Sequence, residues 1–196
     1  MPYSKLFVYG TLKKGEPNHH CFKSENGFSR FIGNGATVKK YPLVIASKYN
    51  IPFLIDSPGQ GYKVRGEVYE VDEKMLHYID IFEEHPSFYV RRLEDINING
   101  EINQCWSYFL PKFKPDLLNK EMLELYSSKG PHNLVYCERY NRDPNYNHKA
   151  EILVNLENVS DAFQLCGTNH HHNLFHFFSN LLFWVADIKM TFIMFI

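Results

Sequence analysis

Leu6, Phe7, Val8 and Tyr9 form a short apolar run that stops at Gly10, the pattern of a buried strand leaving the core at a glycine turn. Lys13 to Asn18 is loop-like, and Pro17 is placed to open a short helix over His19 to Lys23. Ala36 to Ala46 and Phe53 to Ile55 read as strands, bounded by Pro42, Pro52 and a Pro58-Gly59-Gln60-Gly61 turn. From Tyr62 to Val71 the pattern alternates, Val64, Gly66 and Val68 facing opposite to Arg65, Glu67 and Tyr69. Asp72 then has the chemistry of an N-cap, since its short carboxylate can accept the free amides of a first helical turn. Met75, Leu76, Ile79 and Phe82 follow at helical spacing as one apolar stripe, and Pro86 closes the helix. Phe88 to Ile98 and Glu101 to Leu110 read as paired strands, because Asn99-Gly100 between them tolerates the positive φ of a tight hairpin. Leu117 to Tyr126 is expected to be helical.

Strands, helix, strands, helix, without regular βαβ alternation, predict an α+β domain with a curved or closed sheet. The chain has 196 residues, room for one domain and an appendage. With 44% hydrophobic residues it can build a core without disulfides or metal. Beyond Gly130 the pattern changes. Glu138 to Lys149 is polar and reads as a linker or arm, and an apolar run over 174–196 ends the chain. The domain is therefore set at 1–138, with 139–196 as a linker and apolar extension, loosely docked or poorly ordered. That final run approaches the roughly 20 residues that span a bilayer. Asp187 inside it would cost about 2.5–3.5 kcal/mol to insert near a helix centre, which weighs against an anchor. A core-docking helix and an apolar tail stay open beside it. Removal of everything after about residue 150 is expected to leave folding and turnover intact.

Charge narrows the partners. Lys and Arg total 21 against 22 Asp and Glu, with no long run of either sign, so neither nucleic acid nor an anionic membrane is expected. Cysteines at 21, 105, 137 and 166 are scattered, and no signal-peptide pattern opens the chain. Both features point to a reducing, cytoplasmic setting. His19-His20 and His170-His171-His172 are adjacent rather than spaced as ligands, and no metal or other cofactor is expected. Gly59-Gln60-Gly61 is too short for a dinucleotide fingerprint.

Two places carry candidate chemistry. The Tyr9-Gly10-Thr11-Leu12 turn can aim successive amide hydrogens at a carboxylate or a developing oxyanion, and Gly10 leaves room for close approach. Glu83 follows the apolar stripe directly, at the core's edge, where partial desolvation raises a carboxyl pKa and improves it as a base. Glu84 is its competitor. Gly130-Pro131-His132 is grouped with these two.

The run Phe7 to His19 resembles the opening of the γ-glutamylcyclotransferase family, including its AIG2-like members, and stands nearest the γ-glutamylamine branch. The likeness continues through Tyr41 to Ile45, Asn50 to Leu54, Gly66 to Tyr69, and Met75 to Tyr89, and ends between Tyr126 and Leu134. It implies a small mixed β-barrel flanked by helices. It also implies a substrate-binding turn at Tyr9, Gly10, Thr11 and Leu12, and Glu83 as general acid and base. The activity implied is conversion of a γ-glutamyl amine, such as γ-glutamyl-ε-lysine, to 5-oxoproline and the free amine. Two alternatives stand beside it. One is the same chemistry on γ-glutamyl-α-amino acids or glutathione-related substrates. The other is a non-catalytic carboxylate-binding module, favoured if Glu83 is salt-bridged away from the cavity.

Overall fold

The structure, a computed structural model, describes residues 3–154. Its strands are β1 (Ser4–Val8), β2 (Ser29–Thr37), β3 (Leu43–Ala46), β4 (Ile51–Leu54), β5 (Arg65–Val71), β6 (Val90–Ile98) and β7 (Glu101–Phe109). Helix α1 covers Glu73–Phe82 and the single turn α2 covers Lys149–Ile152. Five strands close a barrel in the order β1-β5-β2-β6-β7. The closing pair β1–β7 is parallel, with Leu6 opposite Trp106, and its neighbours are antiparallel. The α+β class and the mixed barrel expected from the resemblance are what the chain forms.

β1 is buried on both faces, which explains its unbroken apolar run. Leu6 and Val8 pack with Met75 and Ile79 of α1, while Phe7 joins Val68, Ile96 and Cys105 in a second cluster. Met75 and Ile79 are fully buried, each worth about 1.5–3 kcal/mol relative to exposure. The N-cap forms as expected, Met75 N donating to Asp72 Oδ1 at 2.8 Å. Asn99 and Gly100 hold φ of 52° and 96° in the β6–β7 hairpin. His19–Phe22 forms a short helix of the 3₁₀ type.

Three expectations are corrected. Leu117 to Tyr126 is not an α-helix: a 3₁₀ turn covers Pro115–Asn119 and the rest runs extended. The cause is tertiary, since Leu123 N donates to Leu43 O at 2.7 Å and Arg65 N to Glu124 O at 2.8 Å. Those bonds, with the bridge between Val44 and Met122, hold 122–124 against β3 and the barrel strand β5, over local helical propensity. The strand assigned to Ala36–Ala46 is two elements, the end of β2 and the separate β3, with Pro42 between them. α1 ends before Pro86 is reached. Glu84 N bonds Ile81 O at 3.1 Å and His85 N bonds Asp80 O at 2.9 Å, with Glu84 at φ 55°. That is a Schellman stop, unusual in placing glutamate rather than glycine in the left-handed position.

The described part of the segment read as a linker packs on the barrel. Ile152 is 1% exposed, and its carbonyl accepts from Lys114 N at 2.8 Å. Contacts group 1–154 as one unit. The apolar run 174–196, His170–His172 and Cys166 lie outside the described residues. Among the described residues no helix is long and apolar enough to cross a membrane, and no group of three or more His, Cys, Asp or Glu is placed to hold a metal.

Candidate functional site

The turn after β1 is fixed by its own hydrogen bonds. Lys13 N closes on Gly10 O at 3.2 Å, Asn18 N on Thr11 O at 2.9 Å, and His19 Nδ1 on Leu12 O at 3.0 Å. The buried Asn18 side chain donates to Thr11 Oγ1 at 2.8 Å and to Tyr136 OH at 2.9 Å. Lys13, also buried, donates to Tyr126 O, and Glu16 Oε2 accepts from Ser128 N at 2.9 Å. Held this way, the amides of Gly10, Thr11 and Leu12 donate to no acceptor among the described residues. These three residues line a pocket enclosing about 720 Å³ of empty space, open mouth included.

Glu83 lines the same pocket. As the residue that caps α1, it leaves the helix axis just where the chain reverses at Glu84. The reversal separates the two acids. Glu84 forms an ion pair with Lys149, whereas the Glu83 carboxylate has no hydrogen bond or ion pair among the described residues. Burial pushes the Glu83 carboxyl up to about 7; Arg139 opposes the rise and Glu84 adds to it. The negative end of the α1 dipole acts in the same direction as Glu84. A carboxyl poised there exchanges protons near neutrality, the property a general acid–base group needs.

The four turn residues enter the pocket differently. Tyr9 is buried, its hydroxyl donating to Tyr108 O at 2.8 Å, so it contributes ring and backbone rather than a free phenol. Burial, then the charge of Glu83, raise its pKa well above the ordinary value, and it stays neutral. A β-carbon on Gly10 would meet Pro52 Cγ at 3.2 Å; the glycine serves packing against Pro52, which itself lines the pocket. Thr11 Oγ1 accepts from Asn18, leaving its own proton for a ligand. Leu12 anchors the turn in the core at 4% exposure.

Gly130-Pro131-His132 does not join them. His132 stacks on Tyr126 and bonds Ser127 O at 2.8 Å, bracing the segment that Lys13 and Glu16 grip. Its part is support of the turn from behind. Sequence reasoning missed part of the lining: Asn18, Tyr136, Arg139, Arg142 and His148 all line the pocket. Asn18 lies in the quoted opening motif, but nothing local indicates its reach to Tyr136. Residues 136–148 carry no pattern beyond polarity.

Residues 6–130 match the family model described as γ-glutamyl cyclotransferase, AIG2-like. A γ-glutamylaminecyclotransferase C of Danio rerio is 47% identical over 144 residues, 70% of this chain and 95% of the relative. The γ-glutamylaminecyclotransferase of Mus musculus is 43% identical over 146 residues, 70% of this chain and 98% of the relative. The crystal structure of an AIG2-like protein from Mus musculus superposes with a TM-score of 0.70 at 43% identity, covering 72% of this chain and all of that one. The turn, Glu83 and all of the barrel but the first two residues of β1 fall inside the matched region, and the chain belongs to the AIG2-like γ-glutamyl cyclotransferase family of enzymes.

Proposed function

We propose that the pocket converts a γ-glutamyl amine, such as γ-glutamyl-ε-lysine, to 5-oxoproline and the free amine. The substrate's α-amino nitrogen attacks its own γ-carbonyl carbon, a five-membered ring closes, and the amide C–N bond to the leaving amine breaks. Glu83 takes the proton that the attacking nitrogen sheds and delivers it to the departing nitrogen. No water or outside nucleophile is consumed. The unpaired amides of Gly10 to Leu12 receive the negative charge that gathers on the γ-glutamyl group. Because the nucleophile is tethered, positioning does much of the work: effective molarities of about 10⁵–10⁸ M correspond to roughly 7–11 kcal/mol of barrier. Serine, cysteine or metal is not required.

One observation carries this reading. A carboxylate without a partner among the described residues shares a single cavity with a run of amides lacking acceptors. A non-catalytic carboxylate-binding module would gain nothing from an acid there, since Glu83 would repel its ligand. Similarity to relatives named γ-glutamylaminecyclotransferase favours an amine over an α-amino acid as leaving group. The free thiols of Cys21, Cys105 and Cys137 support a reducing compartment, and the enzyme is assigned to the cytoplasm.

The test follows 5-oxoproline from γ-glutamyl-ε-lysine. Glu83→Gln keeps shape but cannot accept a proton, and turnover should fall by roughly 10²–10⁴-fold with substrate binding retained. Undiminished turnover would remove Glu83 from the mechanism and pass the role to Glu84.

A further inference from the structure

Tyr136, Arg139, Arg142 and His148 bring one strap of chain, residues 136–148, into the pocket lining. Within it Arg139–Asn141 forms one 3₁₀ turn. Arg139 opens that turn and Arg142 follows it in extended geometry, and both line the pocket. Each is fixed by one backbone bond and by aromatic rings. Arg139 Nη2 donates to Phe82 O at 2.9 Å, its guanidinium 4.1 Å from the Phe82 ring centre. Arg142 Nε donates to Cys137 O at 3.0 Å, its guanidinium 5.2 Å from the rings of both Tyr49 and Tyr136.

Neither guanidinium has a carboxylate within ion-pair distance among the described residues, although Lys149 beside them is paired with Glu84. His148 registers the surplus of positive charge. Burial first, then Arg142 and Lys149, push its pKa below the ordinary value, so the imidazole is kept neutral. A positioned guanidinium fork with free N–H donors suits a carboxylate above other ligands.

We propose that Arg139 and Arg142 form a subsite for a carboxylate on the leaving amine, so that the enzyme selects γ-glutamyl amines whose amine half is itself an amino acid. This rests on the cyclotransferase reading above. The γ-glutamyl half is assigned to the turn, which leaves the part of the lining that carries Arg139 and Arg142 for the leaving half. Both arginines fall outside the 6–130 region that matches the family model, so the choice of leaving group is separated in sequence from the ring-closing chemistry.

The experiment compares kcat/KM for γ-glutamyl-ε-lysine with that for γ-glutamyl-n-pentylamine, which has the same stem without the carboxylate or the ammonium. The expected result is a preference for the lysine substrate that drops at least about tenfold in Arg139→Gln/Arg142→Gln, the size of a lost charge-assisted hydrogen bond. The loss should be carried by KM and partly restored by the double lysine variant. An unchanged ratio, including an equal loss on both substrates, overturns the subsite. Equal loss would mean that the arginines act on Glu83, on the γ-glutamyl half, or on the fold. If wild type yields no 5-oxoproline from either substrate, the reaction is wrong, and the subsite is then judged by titration with Nε-acetyl-lysine. Binding lost in the double variant supports it; equal binding or none refutes it.

Discussion

At the residue scale, Glu83 sits where protein physics disfavours a negative charge. Burial, the carboxylate of Glu84 and the negative end of α1 act together, and Arg139 alone is opposed to them. The consequence is measurable without substrate. The folded-state pKa, about 7, lies above the ordinary 4.5, so the folded chain binds this proton more tightly than the unfolded chain does. Stability from that proton is complete below pH 4.5 and is lost as pH rises through 7. Glutamine at position 83 does not titrate. The stability of Glu83→Gln relative to wild type should therefore climb between those two values and level off above 7, a total gain of about 3 kcal/mol. Urea unfolding at acid, neutral and mildly alkaline pH measures it. A constant difference across that range would mean an ordinary, solvated carboxyl. The residue proposed to drive the reaction is thus expected to weaken the fold at the pH where it is charged.

At the element scale, α1 holds that carboxyl in place from both ends. Asp72 anchors the first turn through Met75 N, and the Schellman stop aims Glu83 inward while turning Glu84 toward Lys149. Asp72→Ala should cost about 1 kcal/mol by removing the cap, seen as a drop of a few degrees in Tm. A larger loss would show that Asp72 supports more than the helix start. Elements whose cause is local were readable in the sequence: the apolar run of β1, the stripe and cap of α1, and the Asn99-Gly100 hairpin. Elements whose cause is distant were not. Residues 122–124 give up helix for backbone bonds to Leu43 and Arg65. Most of β2 is polar or glycine-rich and lies largely exposed, so no alternation marked it. The site divides likewise. Glu83 and the turn stood out through a contiguous motif, whereas Asn18 acts by bridging Thr11 to Tyr136, and Arg139 by returning to Phe82. No spacing along the chain encodes either closure.

At the scale of the whole molecule, the strap ties chemistry to chain length. A chain ending at 138 keeps Glu83, the Tyr9 to Leu12 turn and every barrel strand. It loses the buried Ile152, the Lys114–Ile152 backbone bond and both pocket arginines. Burial of an isoleucine is worth about 1.5–3 kcal/mol and each hydrogen bond about 1 kcal/mol, so this truncation should lose roughly 2–4 kcal/mol against a chain ending at 154. A stop at 150 also removes Ile152 and should share most of that loss. The two ends of the strap make separable contributions, because Ile152 packs in the core while Arg139 and Arg142 line the pocket. Ile152→Ala in the 1–154 chain should therefore reproduce much of the stability loss while leaving the lysine-to-pentylamine ratio where it was. Truncation at 138 should lower both. Denaturant melts and the two substrates, run on the three proteins at a temperature where all are folded, resolve the two effects. If 1–138 matches 1–154 in stability and in substrate ratio, residues 139–154 are a passive tail and the catalytic unit ends where the polar segment begins.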